Sequence, residues 1–372
     1  MAKTARNPRA DIISPIAVAK PRLPLADAIL PYLRRIDTAR WYSNFGPLVQ
    51  ELEERLAHRF GPSALAVTCS NATQGLTLTL KALGATPGTL CAMPSWTFVA
   101  TAHAAVQAGL MPWFLDADHD SWMLTPQTLE AALPRAPGPV SAVIIVAPFG
   151  RMPDVDAWLA FQDRTGVKVI LDAAAAFDAA SDARLPTVVS LHATKVLGMG
   201  EGGYVVTDDP ALASRLRRLT GFGFEGSRLS QHAATNAKIS EYAAAVGLAA
   251  LDAWPGDRLR WFTAAQTLRQ ALFASDLSFQ PGWGHDWTTS VCVVGTPDGA
   301  APRLAAALKA ADIDTRQWWG DGCHASPAFA ECPRTDLPNT ERLARSTLGL
   351  PFYMDLDATD AARIADILKT AG

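Results

Sequence analysis

The amino-acid sequence predicts an α/β protein: a large domain with a mostly parallel sheet covered by helices, then a smaller α+β domain. Three observations lead there. From about residue 44, short apolar runs alternate with amphipathic stretches. Those runs are apolar without a break, as strands buried on both faces must be. Near residue 238 the alternation gives way to longer helical text and then to a mixed pattern.

Taken in order, residues 1–43 read as an N-terminal arm, interrupted throughout by proline and charge and without the continuous apolar stretch of a signal peptide. The large domain, 44–250, opens with PLVQELEERLAHRFG, where Leu48, Leu52, Leu56 and Phe60 form one helical stripe. The run ALAVT follows, then the helical TQGLTLTLKALG. Further strands are expected in TLCAMPS, MPWFLD, AVIIVAPFG, VKVILDA, TVVSLHA and GGYVVTDD. Helices are expected between most of them, in TFVATAHAAVQAG, PQTLEAALPRA and DVDAWLAFQDRTG. KISEYAAAVGLAALDAW and DRLRWFTAAQTLRQALFA read as two long helices divided at Trp254-Pro255-Gly256. The small domain, 251–372, combines a TSVCVVG strand, an APRLAAALKAA helix, a loop rich in tryptophan and proline, and a closing DATDAARIADILKT helix. In a parallel sheet the crossovers are right-handed and ligands sit beyond the carboxyl ends of the strands.

Composition narrows the functions. Among 372 residues, 33 Lys and Arg face 36 Asp and Glu, a net charge of −3, so no positive field invites nucleic acid. The apolar runs AVIIVA and AAAVGLAAL fall well short of the ~18 residues that span a bilayer. A soluble, cytoplasmic protein is expected, with neither nucleic acid nor membrane as partner. Cys69, Cys91, Cys292, Cys323 and Cys332 are scattered, with no C-x-x-C pair, and read as packed thiols rather than a disulfide framework or zinc ribbon. His192 has no metal ligand at suitable spacing, so no metal is expected.

Gly198-Met-Gly200-Glu-Gly-Gly203 matches G-x-G-x-x-G in letter, but a dinucleotide site must follow a strand and open a helix. Here the glycines precede the strand-like YVVT, and a flexible loop entering a strand accounts for them. Lysine is scarce, eight in all, so each can be weighed. Lys195 stands apart: it follows the apolar Val188-Val189-Ser190-Leu191 and runs into the glycine loop, a position on the ligand side of the sheet or simply in a surface loop. Asp172 ends the apolar Val169-Ile170-Leu171 and precedes four alanines, and a carboxylate there needs a cationic or hydrogen-bonding partner, or caps a helix. Ser70-Asn71-Ala72-Thr73 lies between a strand and a helix, offering backbone N–H groups to a phosphate, or a plain cap. Together these supply an amine, a carboxylate and a phosphate cup at neighbouring strand ends. Pyridoxal phosphate requires that set: an amine for its aldehyde, a carboxylate for its pyridine nitrogen, and donors for its phosphate.

The ordered motifs resemble the DegT/DnrJ/EryC1/StrS family of sugar aminotransferases, fold type I pyridoxal phosphate enzymes. They are Asn44-Phe-Gly-Pro-Leu-Val-Gln-Glu-Leu-Glu53, Ser70-Asn-Ala-Thr-Gln-Gly-Leu76, Pro94-Ser-Trp-Thr-Phe98, Asp172-Ala-Ala, Ser190-Leu-His-Ala-Thr-Lys195, Gly200-Glu-Gly-Gly203 and Asn236-Ala-Lys-Ile-Ser-Glu241. The resemblance implies that Lys195 forms the Schiff base and shuttles a proton, that Asp172 pairs with the pyridine nitrogen, and that Phe98, rather than Trp96, stacks on the ring. It implies that Ala72, Thr73 and Gln74 donate N–H groups to the phosphate and Ser190 its hydroxyl. Asn236 would reach the phosphate of a neighbouring subunit, which makes the assembly a homodimer with shared active sites. Arg316 and His324 fall where the family builds its substrate pocket.

One departure is Ala175, where the family usually has Gln or His near the cofactor. The function implied is transfer of an amino group from an amino acid, glutamate or glutamine, to a keto sugar, nucleotide-linked in most of the family. The alternatives are a non-catalytic regulator on the same fold, a sugar dehydratase in which the family replaces the lysine by His, and a nicotinamide dehydrogenase using Gly198–Gly203. Retention of Lys195 and Asp172 speaks against the first, and Lys195 alone against the second.

Overall fold

The computed structural model describes residues 14–371. Seven strands form one sheet: β1 (Leu65–Cys69), β2 (Leu90–Pro94), β3 (Met111–Leu115), β4 (Val140–Val146), β5 (Lys168–Asp172), β6 (Thr187–Ser190) and β7 (Gly203–Thr207). Their spatial order is β1-β7-β6-β5-β4-β2-β3. Only β7 runs against its neighbours, pairing antiparallel with β1 and β6, while all other pairings are parallel. Each strand coincides with one of the apolar runs. The reason shows in β4 and β5. Val143, Ile145, Val169 and Leu171 enter one buried cluster, while Ala142, Ile144 and Ile170 enter another. Successive side chains point to opposite faces and both faces are covered, so the central positions of both strands are apolar and polar residues stand at their ends.

The helices are α1 (Ala26–Ala39), α2 (Pro47–His58), α3 (Ala72–Ala82), α4 (Val99–Gln107), α5 (Pro126–Ala132), α6 (Val155–Thr165), α7 (Pro210–Thr220), α8 (Glu241–Ala271), α9 (Ala301–Ala310), α10 (Pro338–Ser346) and α11 (Ala358–Ala371). A second sheet, antiparallel, has the order β10-β9-β8, with β8 at Ser278–Phe279, β9 at Cys292–Gly295 and β10 at Thr347–Leu350. The stretch read as an arm contains α1, and α7 and β10 were not expected. All five thiols are unpaired and four are buried.

One expectation is overturned. Trp254-Pro255-Gly256 does not divide two helices, because α8 runs unbroken through it. An interior proline costs a helix roughly 3 kcal/mol. Against that, Trp254, Trp261 and Leu268 of the same helix are all buried in the main core, each worth about 1.5–3 kcal/mol. Packing therefore outweighs the missing N–H. The helix also passes residue 250, where the sequence places the passage between domains. At its start, the buried Glu241 carboxylate accepts the amides of Leu48 (2.8 Å) and Val49 (2.9 Å), closing the open end of α2. Gly46 admits that contact, since a Cβ there would stand 2.7 Å from the Glu241 side chain.

Candidate active site

Strands β1, β2, β5 and β6 run in one direction, so their carboxyl ends share an edge of the sheet. Asp172 is the last residue of β5 and only 6% exposed. Its Oδ2 accepts from Thr101 Oγ1 at 2.8 Å and its Oδ1 from the Ala174 amide at 3.1 Å. Burial pushes its carboxyl up from the usual range, while Thr101, Ala174 and the positive field of Lys195 pull it back.

Lys195 sits in the loop from β6 to β7. Cross-bonds from Leu191 N to Gly202 O (2.9 Å), Ala193 N to Gly200 O (2.8 Å) and Met199 N to Leu191 O (2.8 Å) close that loop tightly. Burial pushes the Lys195 amine down, and Asp172 opposes the shift. Among the described residues the amine has no hydrogen bond or ion pair of its own. A lysine whose proton affinity is lowered by burial and whose amine is unengaged is suited to act as a nucleophile and proton carrier.

The third element is the start of α3. Asn71 caps it, its Oδ1 accepting the Gln74 amide at 2.9 Å, so the plain cap exists. The Ala72 and Thr73 amides have no acceptor among the described residues. The Gln74 amide goes to the cap rather than standing open, and its side-chain Nε2 gives one of its two protons to Gln107 (2.8 Å). Ser190, buried at the end of β6, accepts the His192 amide at 3.2 Å and keeps its own proton available. The letter match to a dinucleotide motif also finds its reason here. Gly203 passes beneath the first turn of α3, where a Cβ would stand 2.7 Å from the Ala72 nitrogen. The motif lets a strand approach a helix start; it does not open a helix.

Phe98 precedes α4 with its ring 57% exposed and open to a ligand. Trp96 is 2% exposed and edge-on to Trp319 (5.3 Å) and Phe149 (6.4 Å), with no free face. Asn236 is exposed and accepts from Lys238, while the carbonyl of its neighbour Ala237 accepts the Ser70 amide at 2.7 Å. His324 is brought to the strand ends: its Nδ1 lies 2.6 Å from Ser95 Oγ, and Ser95 O accepts the Cys323 amide at 2.8 Å. Burial, then Arg334, pushes the imidazole of His324 down, favouring its neutral form. Arg316 stands instead on the small sheet, its backbone paired with Gly349 and its guanidinium 5.0 Å above the Trp318 ring. The Ala175 carbonyl accepts from Thr289 Oγ1 at 3.2 Å, and a Cβ on Gly150 would lie 3.0 Å from it.

Sequence reasoning missed Thr101 and Ser95, while the cap it offered at the start of α3 is formed by Asn71. The contact from Thr101 crosses 71 residues to Asp172. No local signal marked it, since Thr97 precedes the cap of α4 and does not share a helix face with Thr101.

Residues 25–369 match the profile of the DegT/DnrJ/EryC1/StrS aminotransferase family. The chain belongs to that family. The solved structure of DesI, in the presence of its TDP-sugar product, is 35% identical, with a TM-score of 0.85 over 96% of this chain and 92% of that one. DesV of S. venezuelae, in complex with a ketimine intermediate, is 27% identical, with a TM-score of 0.83 over 95% and 99%. Protein Rv3402c of Mycobacterium tuberculosis (strain ATCC 25618 / H37Rv) is 27% identical over 98% of this chain and 92% of that protein.

The chain is thus an aminotransferase of fold type I that uses pyridoxal phosphate. The residues present fit that cofactor. Asp172 is a buried acceptor with two donors and no cation at ion-pair distance among the described residues, which suits a protonated ring nitrogen. The unengaged Lys195 amine suits the aldehyde, and the open amides of Ala72 and Thr73 at a helix start suit the phosphate.

Proposed function

We propose that this aminotransferase moves an amino group from an amino acid, glutamate or glutamine, to a nucleotide-linked keto sugar, in amino-sugar biosynthesis in the cytoplasm. One observation carries the reading: Lys195 and Asp172, each deprived of solvent and each within the other's field, lie at one sheet edge. The likeness to DesI, solved with its TDP-sugar product, supports the sugar acceptor.

Bound pyridoxal phosphate supplies an electron sink for the carbon that loses its proton. Lys195 would hold the cofactor's aldehyde and, when free, would carry a proton between the donor's Cα and the cofactor's C4′. Its depressed proton affinity suits both roles. Asp172 accepts from the ring nitrogen and keeps it protonated. Ala72 and Thr73 amides and the Ser190 hydroxyl hold the phosphate, aided by the α3 dipole. Phe98 covers the ring face. Asn236 completes the phosphate site of a second subunit, so the working unit is a homodimer with shared sites. His324, neutral and fixed by Ser95, and Arg316 bind the acceptor.

The test is mass spectrometry of products from a panel of keto sugars, free and nucleotide-linked, with glutamate or glutamine as donor. An amino sugar and an equal amount of oxo acid are expected. Loss of water without gain of nitrogen would establish a dehydratase instead, and no turnover with any donor would favour a binding protein.

A further inference from the structure

Behind Asp172 stand two threonines that are almost wholly buried, Thr97 and Thr101. Thr101 Oγ1 donates to Asp172 Oδ2 at 2.8 Å, and Thr97 Oγ1 lies 2.8 Å from Thr101 Oγ1. A hydroxyl has one proton, and an ionised carboxylate only accepts. With the Thr101 proton committed to Asp172, the proton between the two hydroxyls belongs to Thr97. The pair therefore points one way, toward the carboxylate.

Threonines deeper in the helices behave differently. Thr77 and Thr79 on α3, and Thr263 and Thr267 on α8, each give their proton to the carbonyl four residues back, at 2.7–2.9 Å. Thr101, in the first turn of α4, has no helical residue four positions back and gives its proton to the carboxylate. The capping residue of α4, Phe98, has no side-chain acceptor, and the Thr101 hydroxyl is the group of this helix that reaches Asp172. Thr97 is itself held in place. Its amide donates to Ser95 O at 3.0 Å, and Ser95 is anchored to Cys323 and His324.

We propose that Thr101, backed by Thr97, is a positioning residue that holds the Asp172 carboxylate ionised and in one orientation for the cofactor's ring nitrogen. This rests on the assignment of Asp172 to that nitrogen. Lys195, from the β6–β7 loop, is the charged group acting on Asp172, and α4 adds hydroxyls without charge. Thr101→Val removes the donated proton at nearly constant volume. Thr101→Ser restores it, and Thr97→Val removes only the second hydroxyl.

The measurement is the dissociation constant of pyridoxal phosphate from the apoprotein, by fluorescence titration across pH, in these variants and in Asp172→Asn. Loss of one hydrogen bond to a buried charge should weaken binding by about tenfold in Thr101→Val, with a smaller loss in Thr97→Val and parental affinity in Thr101→Ser. A carboxylate deprived of a donor takes up its proton more readily, so the acid limb of binding should move to higher pH in Thr101→Val. In an Asp172→Asn background, Thr101→Val should have no further effect. Parental affinity and an unmoved acid limb in Thr101→Val, with Asp172→Asn weakened, would overturn the proposal. Parental binding by Asp172→Asn would instead overturn the assignment of Asp172. Should Thr101→Val fail to fold, parental behaviour of Thr97→Val across the same titration overturns the relay.

Discussion

Two buried carboxylates stand at strand ends of the large sheet, and they have opposite fates. Asp116, just after β3, accepts from the amides of Ala117, Asn339 and Thr340 and from the Thr340 hydroxyl, at 2.7–3.0 Å. Asp172, at the end of β5, has two donors and, among the described residues, no cation at ion-pair distance. The first is satisfied by its own chain and closes the start of α10. The second is left short of partners, a cost of burial that a cofactor's N–H can offset. A strand-end carboxylate is thus structural or functional according to how many donors the fold supplies, not according to its own chemistry.

The sharpest break of that contrast comes at the amine. Lys195→Ala should lower turnover by at least a factor on the order of 10²–10⁴, read in single-turnover assays, and abolish the lysine-linked cofactor absorbance expected at about 400–430 nm. Next, Asp172→Asn should lower kcat/KM by roughly 10²–10³ while the apoprotein melts no lower than its parent at neutral pH. Asp116→Ala should do the reverse: about 2–4 kcal/mol lost in denaturant unfolding, with kcat of the folded fraction changed far less. If both substitutions cost stability equally, the contrast fails.

A pH series sharpens it. The Asp172 carboxyl is raised above its ordinary 3.8 in the folded apoprotein, so its ionised form opposes folding. That penalty is absent below the unfolded value and grows as pH rises through the folded one. The melting temperature of apo Asp172→Asn minus that of the parent should therefore increase with pH from the acid side. A flat difference would mean that Asp172 is solvated. The smallest effect is expected at Gly203→Ala, whose Cβ would press on the Ala72 nitrogen. It should cost about 1–3 kcal/mol and weaken cofactor binding several-fold without altering the pH profile of turnover.

Much of this was legible in the residues. The strands of the large sheet announced themselves because burial on both faces leaves an unbroken apolar run, a local signal. Lys195 and Asp172 stood out for the same reason: a charge at the end of such a run has no water to solvate it. Pro255 misled, since helix propensity is local and the packing of Trp254 and Trp261 that overrides it is not. Which first-turn amides of α3 stay open was not legible, because it depended on where the Asn71 side chain turned.

By itself, then, the sequence determined the strands of the large sheet and most of the helices between them, and it pointed to an amine and a carboxylate at strand ends. All of these follow from periodicity and from the cost of burying charge. Only the tertiary structure decided that Thr101 faces Asp172, that His324 reaches Ser95 from the far end of the chain, that Trp96 is packed away while Phe98 is open, and that Gly203 slides beneath α3. Each of these is a contact between residues far apart in the chain. Spacing along the sequence has no bearing on which hydroxyl meets which carboxylate; close packing of folded elements settles it.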